Sequence, residues 1–561
     1  MEPVKNVNIP LIKERQKRVY GNWVNNPVLE DYALRYAPRS FRNWSIFSVA
    51  SAALGGIAYL ADFAIGGSIT ISSGFSNAFW AIITGAIIIF LTGLPIAYYS
   101  SKYNVDMDLL TRGAGFGYLG STITSLVYAS FTFIFFALEG SIMAQAFKLY
   151  FGMPLSVGYA VSSLIIIPLV VFGMTLLSRL QVWTQPLWLT LMIAPFLFLI
   201  DKNPNALSAW THFGGVAATG SAFNPILYGT ATGVALSLIA QIGEQVDYLR
   251  FMPDQTKSNS NAWWFAVLLA GPGWVFIGAL KQLGGSFFTS FNALHGTPIA
   301  TSNEPIQMYV NGFANMFVHH WVVIFLATFF VVLSQIKINV TNAYSGSLSW
   351  SNFFSRIAHL HPGRVVWIFF NVGISLFLME MGVFDLLLKV LGFYSNVAIA
   401  WIGAIVADLV INKPILKLSP SYIEFKRAHL YNINPVGFGS MIIASAVSIL
   451  AFFGVFGVYM QAFSTFIALG MAFVLSPIIA ILTKGKYYIA RENTHYHAGT
   501  HHNAVNCTVC SYEYEKEDMA HCPFHEGPIC SLCCSLDSKC ADVCKTMTNP
   551  NQVLIMPKKI A

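Results

Sequence analysis

Ten potential metal ligands crowd the stretch from residue 507 to residue 544: Cys507-x2-Cys510, His521-Cys522, His525, Cys530-x2-Cys533-Cys534, Cys540 and Cys544. The first 506 residues contain no cysteine. Paired C-x2-C spacing lets two thiolates meet one tetrahedral ion, as structural zinc sites require. Eight cysteines and two histidines suffice for two four-ligand sites holding zinc, and an iron–sulfur cluster would use the same thiolates. The alternative is a tail without metal. His495, His497, His501 and His502 lead into this stretch and read as linker.

A second set of residues stands where apolar surroundings should exclude it. Asp62, Glu139, Glu244, Lys337 and Glu380 each interrupt a long hydrophobic stretch. A charge at the centre of a bilayer costs about 2.5–3.5 kcal/mol on insertion scales, so each needs a partner or a purpose. Phe131, Phe135 and Glu139 are spaced four apart and share one helix face. That face is either a platform for stacking a flat ring or a packing stripe. Gln241 offers both a donor and an acceptor, with Ser237 one turn earlier and Glu244 one turn later. Glu244 either lines a break in its helix or ends the membrane segment together with Asp247 and Arg250. Asn339 and Asn342 are three apart on one face and are candidate ligand contacts. Asp62 reads as a gate or network residue, and Glu380 as structural.

The elements that must position these residues are membrane helices. The chain has 561 residues, 55% hydrophobic and only 10% charged, with a mean hydropathy of +0.59. A soluble chain carries about 25% charged residues, so a soluble enzyme, a disordered protein and a secreted disulfide scaffold are excluded. Residues 63–101, 149–178, 203–243, 305–336 and 428–483 contain no Asp, Glu, Lys or Arg. With roughly 20 residues per crossing, the pattern predicts an all-α polytopic fold of about twelve spans. They are 44–72, 76–100, 117–147, 156–177, 182–200, 222–250, 262–283, 319–350, 364–382, 384–410, 436–459 and 462–483. A cytoplasmic N-terminal segment (1–43) precedes this membrane domain (44–483). A linker (484–506), the cysteine-rich module (507–544) and a tail (545–561) follow it.

The net charge of +7 is a topology signal rather than a sign of nucleic-acid binding. With the N-terminus inside, inner loops hold 19 Lys/Arg and outer loops three (Lys148, Lys202 and Lys281). Both termini are then expected in the cytoplasm of a multi-pass cell-membrane protein, where disulfides are disfavoured. Span 1 is interrupted by Gly55-Gly56 and Gly66-Gly67, and span 6 by Gly229, Gly233 and Gly243. Gly-interrupted helices five spans apart point to an inverted-repeat secondary transporter with discontinuous helices. The alternative is that these glycines only let helices pack closely. The repeats would cover about 44–200 and 222–410, with extra helices over 436–483.

Three segments carry a resemblance. "NPVLEDYALRYAPRSFRNWS" (Asn26–Ser45), "GEQVDYLRFMPDQ" (Gly243–Gln255) and "LSQIKINVTNAYSGSLSWSNFFSR" (Leu333–Arg356) resemble the nucleobase–cation symporter family. That family comprises the purine–cytosine permeases and their hydantoin and allantoin relatives. The resemblance implies two inverted five-helix repeats plus two helices, and a planar heterocycle bound between spans 1, 3, 6 and 8. It implies that Phe131 stands at a stacking tryptophan and Phe135 at a hydrogen-bonding glutamine. Leu238 replaces a second stacking tryptophan.

The resemblance also sets Lys337 and Ile338 where sodium-coupled members carry two hydroxyl ligands. Hard cations need oxygen donors, so no sodium site is expected. Lys337 would serve as a built-in cation bonded to span 1 carbonyls, or as a proton carrier; the alternative is an ion pair with Glu139 or Asp62. "GPICSLCCSLDSKC" (Gly527–Cys540) resembles modules that join transporter-like domains to histidine kinases in bacterial sensors.

No nucleotide-binding loop or nucleophile elbow is present, so no enzymatic activity is expected. The expectation is a permease for a purine, pyrimidine or related heterocycle in a lipid bilayer. The rival is a membrane sensor whose metal tail contacts a cytoplasmic signalling protein.

Overall fold

The computed structural model describes residues 18–20, 24, 31–493 and 504–545. The histidines of the predicted linker (His495, His497, His501 and His502) lie outside the described residues. Among the described residues, nine helices are long and apolar enough to cross a bilayer. They fall on predicted spans 2, 3, 5, 6, 7, 8, 10, 11 and 12. The other three predicted spans are a helix broken in two (Ile46–Gly55 and Ala61–Ser73), a helix in two short pieces (Leu155–Leu164 and Ile166–Val171) and a shorter helix, Arg364–Glu380. The span numbers are kept below.

Span 1 breaks where its sequence says it should. Its first half ends at Gly55, Gly56 caps it, and the helix resumes only at Ala61. Gly66 and Gly67 belong to the second half and serve a different purpose. A Cβ on Gly66 would lie 1.9 Å from the backbone oxygen of Gln282, and one on Gly285 would lie 2.0 Å from the backbone oxygen of Phe63. Span 7 (Ser260–Leu294) and the second half of span 1 therefore meet backbone to backbone, as small residues permit.

Span 6 behaves otherwise. Its helix Pro225–Ala235 tightens to a 3-10 turn over Leu236–Ala240 and resumes as Gln241–Leu249. None of the three glycines sits in that turn. Gly229 lies against the Ala462 backbone, Gly233 against Thr465, and Gly243 under the Tyr128 ring. In span 6 the glycines thus serve close packing, and the change of pitch falls on Leu236–Ala240.

Two boundaries shift with consequences. Arg179 was expected in a loop between spans 4 and 5, yet the helix Gly173–Lys202 runs through it. Span 7 is interrupted at Gly271-Pro272-Gly273 and restarts as Trp274–Leu294. Lys281, counted with the outer charges because it stands two residues from the predicted end of span 7, is instead well inside that helix and buried. A charge ends an apolar run in the sequence without ending the helix.

Span 8 (His320–Ile357) is 38 residues long, about 57 Å at 1.5 Å per residue. It packs along span 3 (Ser121–Phe151), while spans 11 and 12 pack on span 10 (Leu387–Ala407). The cysteine-rich module is small: Val505–Asn506 pairs with Glu513–Tyr514, and Met519–Cys522 pairs antiparallel with Gly527–Cys530. A short helix, Ser531–Leu536, closes it. Arg18 donates to the carbonyls of Cys533 and Leu536, so the N-terminal segment and the module share one face of the molecule.

Candidate functional site

A break in a buried helix orphans carbonyls on one side and N–H groups on the other. In span 1 both sets are met by charged side chains from neighbouring helices. The Lys281 ammonium donates to the carbonyl oxygens of Ile57 (2.6 Å) and Tyr59 (3.0 Å). It pairs with Asp62 at 2.9 Å and sits 3.8 Å from the centre of the Tyr59 ring. Gln282 donates to the other Asp62 oxygen at 3.0 Å. On the opposite side, Glu139 accepts from the backbone N–H groups of Leu60 (3.3 Å) and Ala61 (3.2 Å). These groups open the second half-helix, whose dipole favours a negative charge there. Gln335 of span 8 also donates to Glu139.

The close approach of spans 1 and 7 through Gly66 and Gly285 is what brings Lys281 and Gln282 against Asp62. The sequence reasoning missed Lys281, because the helix restart after Gly271-Pro272-Gly273 was not read as a shift of span 7 outward. That Gly-Pro-Gly was the signal that could have found it.

Lys337 lies elsewhere. Its ammonium donates to the Gln181 carbonyl and the Thr184 hydroxyl of span 5, both at 2.9 Å. The Gln181 amide returns a bond to the Lys337 carbonyl at 2.6 Å. Its partners are therefore on span 5, not the span 1 carbonyls, Asp62 or Glu139. The ammonium at the span 1 break belongs to span 7.

The predicted aromatic face is present. Phe131 and Phe135 are buried with ring centres 4.5 Å apart, and Tyr394 of span 10 lies 6.3 Å from Phe131. This stripe begins one helical turn, about 6 Å, from Glu139 and so from the break of span 1. Gln241 donates to Glu244 at 2.8 Å, while the second Glu244 oxygen and the Ser237 hydroxyl are buried without a hydrogen-bond partner. Glu244 lies within electrostatic range of Glu139 and Asp247. Asp247 accepts from Tyr128 at 2.9 Å, and Arg250 turns instead to Asp106 at 3.1 Å. Asn339 is spent on the Phe136 carbonyl (3.3 Å), whereas Asn342 donates to Asn339 and keeps an unpartnered oxygen. Asp62, Glu139 and Glu244 all lie within electrostatic range of Tyr59 at the span 1 break, and Gln241 is bonded to Glu244.

The second centre is in the module. Among the described residues, the Cys507, Cys510, Cys530 and Cys533 thiols all lie within 4.8 Å of one another and are buried. Four thiols at that spacing can hold a metal ion in tetrahedral sulfur geometry, as zinc or an iron–sulfur cluster uses. Hydrogen bonds from the other three thiols push Cys507 far below the usual thiol range. Cys510 falls to about 7, because bonds from Cys530 and Cys533 outweigh the opposing one to Cys507. Burial and the same bonds push Cys530 up, and bonds to Cys507 and Cys510 push Cys533 up, so the cluster divides into one pair that favours the thiolate a metal requires and one that keeps its protons until a metal displaces them.

The other six predicted ligands do not join that cluster. Cys522, Cys534, Cys540, Cys544, His521 and His525 line one neighbouring pocket. There His525 contacts Asp537 at 2.6 Å, and the imidazole helps hold the Asp537 carboxyl down at about 2 against the opposing effect of burial.

No family model and no curated protein matches the chain. Solved structures do. Mhp1, a nucleobase-cation-symport-1 family transporter in a closed conformation with bromovinylhydantoin bound, superposes with a TM-score of 0.58 at 16% identity. The match covers 83% of this chain and 100% of that one. A Na+-coupled sialic acid symporter in a substrate-bound outward-open state gives 0.53 at 13% identity, over 82% and 93% of the two chains. A manganese transporter mutant from Eremococcus coleocola gives 0.51 at 10% identity, over 84% and 99%. The chain has the fold of these transporters.

Proposed function

We propose that the chain is a secondary transporter for a small planar nitrogenous solute, such as a purine, pyrimidine or related heterocycle. It has twelve spans, works by alternating access and carries both termini in the cytoplasm. The solute stacks on Phe131 and Phe135 and hydrogen-bonds to Ser237, Gln241, Glu244 and Asn342. Supporting this reading are the aromatic stripe beside two interrupted helices, the unpartnered oxygens of Glu244 and Asn342, and the transporter fold. Mhp1 was solved with a hydantoin, and hydantoins are flat rings bearing amide donors and acceptors.

The observation that carries the coupling is the closed break of span 1. Lys281 fills with a tethered ammonium the place where carbonyls of Ile57 and Tyr59 and the Asp62 carboxylate would otherwise cage a dissolved cation. Transport then proceeds without sodium, with proton movement through Glu139 or Glu244 as its counterpart. Lys337, bonded to span 5, holds span 8 in place.

A thermal-shift screen of the purified protein against purines, pyrimidines, hydantoins and allantoin tests the substrate class. At least one class should stabilise the wild-type protein and not Phe131→Ala. If no member of these classes binds, the substrate assignment is wrong.

A further inference from the structure

The cysteine module does not own a complete core. Its buried residues, including Cys507, Cys530, Met519 and Ile529, form one cluster with Tyr20 and Leu34 of the N-terminal segment and Ala428 of the loop between spans 10 and 11. A module of about 40 residues is below the size at which a hydrophobic core alone suffices. The rest of the chain completes its core.

The polar contacts are directional. On one side the module presents acids to the basic lead-in of span 1. Arg35 pairs with Asp518 at 2.5 Å and lies over the Tyr514 ring at 4.2 Å; Tyr36 donates to Glu515; and Arg39 pairs with Glu517 at 3.1 Å. On the other side it presents carbonyls to the span 10–11 loop and to the approach of span 3. Arg427 donates to the carbonyls of Cys534 (3.0 Å) and Asp537 (2.5 Å), and Tyr118 to Ser535 (3.3 Å).

The acids Glu515, Glu517 and Asp518 all lie between the two C-x2-C pairs of the metal cluster. Two short strand pairs are the regular structure that otherwise holds this segment. An ion bridging Cys507 and Cys510 to Cys530 and Cys533 fixes the ends of that segment, and so fixes its acids against the lead-in. Binding free energy of this kind is folding free energy in small metal modules.

We infer that the metal-loaded module is a latch whose partner is the chain's own inner face. It ties the lead-in of span 1 to the span 10–11 loop, and loss of the metal releases that tie. Rocking of one group of helices against another is how such folds expose their sites by turns, so a strap that fixes the lead-in of span 1 restricts how far that span moves. A cytoplasmic signalling partner would have to compete for the surface that Arg35, Arg39 and Arg427 now occupy.

The test is hydrogen exchange on the full chain in nanodiscs, loaded with zinc and then stripped with a chelator. Exchange in 33–41 and 424–430 should accelerate about tenfold or more on stripping, as loss of one or more charge-assisted bonds predicts. The span 10 helix should be unaffected. The double variant Glu515→Gln/Asp518→Asn should show the same acceleration in 33–41 with its metal content unchanged, which separates docking from folding of the module. Unchanged protection of 33–41 in stripped protein overturns the latch. So does a double variant that stays as protected as wild type, or a protein that binds no metal. None of these outcomes depends on which solute is carried.

Discussion

Replacing Lys281 by methionine keeps the length of the side chain and removes two hydrogen bonds, an ion pair and a ring contact at once. The Ile57 and Tyr59 carbonyls lose their donor, and Asp62 keeps only Gln282. Removing one partner of a buried ion pair costs about 3–5 kcal/mol, because the other charge is left uncompensated. Asp62→Asn should cost a similar amount by stranding the ammonium. The double variant Lys281→Met/Asp62→Asn strands no charge, and what remains is two orphaned carbonyls at about 1–3 kcal/mol each. The double variant should therefore be less damaged than the sum of the two single ones by several kcal/mol. Denaturant titration of purified protein in mixed micelles reads this directly. Additive losses would refute the pairing, and a Lys281→Met protein as stable as wild type would refute the whole account of the break. Lys281→Ala gives a further readout. It leaves a cage of two carbonyls and a carboxylate, oxygen donors that suit a hard cation. Sodium should stabilise this variant by mass action and leave the wild type unchanged.

Other outcomes follow from the same structure. Gly66→Ala should destabilise by about 1–3 kcal/mol through overpacking against Gln282, whereas Gly373→Ala, where a Cβ meets nothing within 4 Å, should be silent. Phe131→Ala should weaken binding of a stacked heterocycle by about 1–3 kcal/mol, measured by titration calorimetry. Asp31 is clasped by His361 (3.0 Å) and the Arg364 backbone N–H (2.9 Å), which hold its carboxyl below 3.8 despite burial. Its contribution is complete above that value and is lost as pH falls through the lowered one. Hydrogen exchange over 31–37 should therefore separate Asp31→Asn from wild type at pH 6, and the difference should vanish in strong acid.

Much of this architecture was legible because its causes are local. Apolar runs set the spans, and the paired C-x2-C knuckles pointed to the four thiols that meet. The remaining cysteines and histidines carry no such local pairing, and only the tertiary fold shows that they line a separate pocket. Gly55-Gly56 does stand at the span 1 break, where a Cβ on Gly55 would lie 2.5 Å from Gln181 Cβ of span 5. The change of pitch in span 6 falls on Leu-Ser-Leu-Ile-Ala, residues with no breaking tendency, and is imposed by the surroundings. The error over the ammonium had one source. Lys281 stands near the end of an apolar run, where a charge normally marks the membrane surface. After the Gly-Pro-Gly interruption the helix runs on to Leu294, and only the tight crossing with span 1 shows that the charge is buried.

Uptake of labelled nucleobases into proteoliposomes, with sodium or choline outside, addresses the central claim most directly. Equal initial rates are expected in the two media for the wild-type protein, with loss of transport or a new sodium requirement in Lys281→Ala. Wild-type uptake driven by an inward sodium gradient would contradict it.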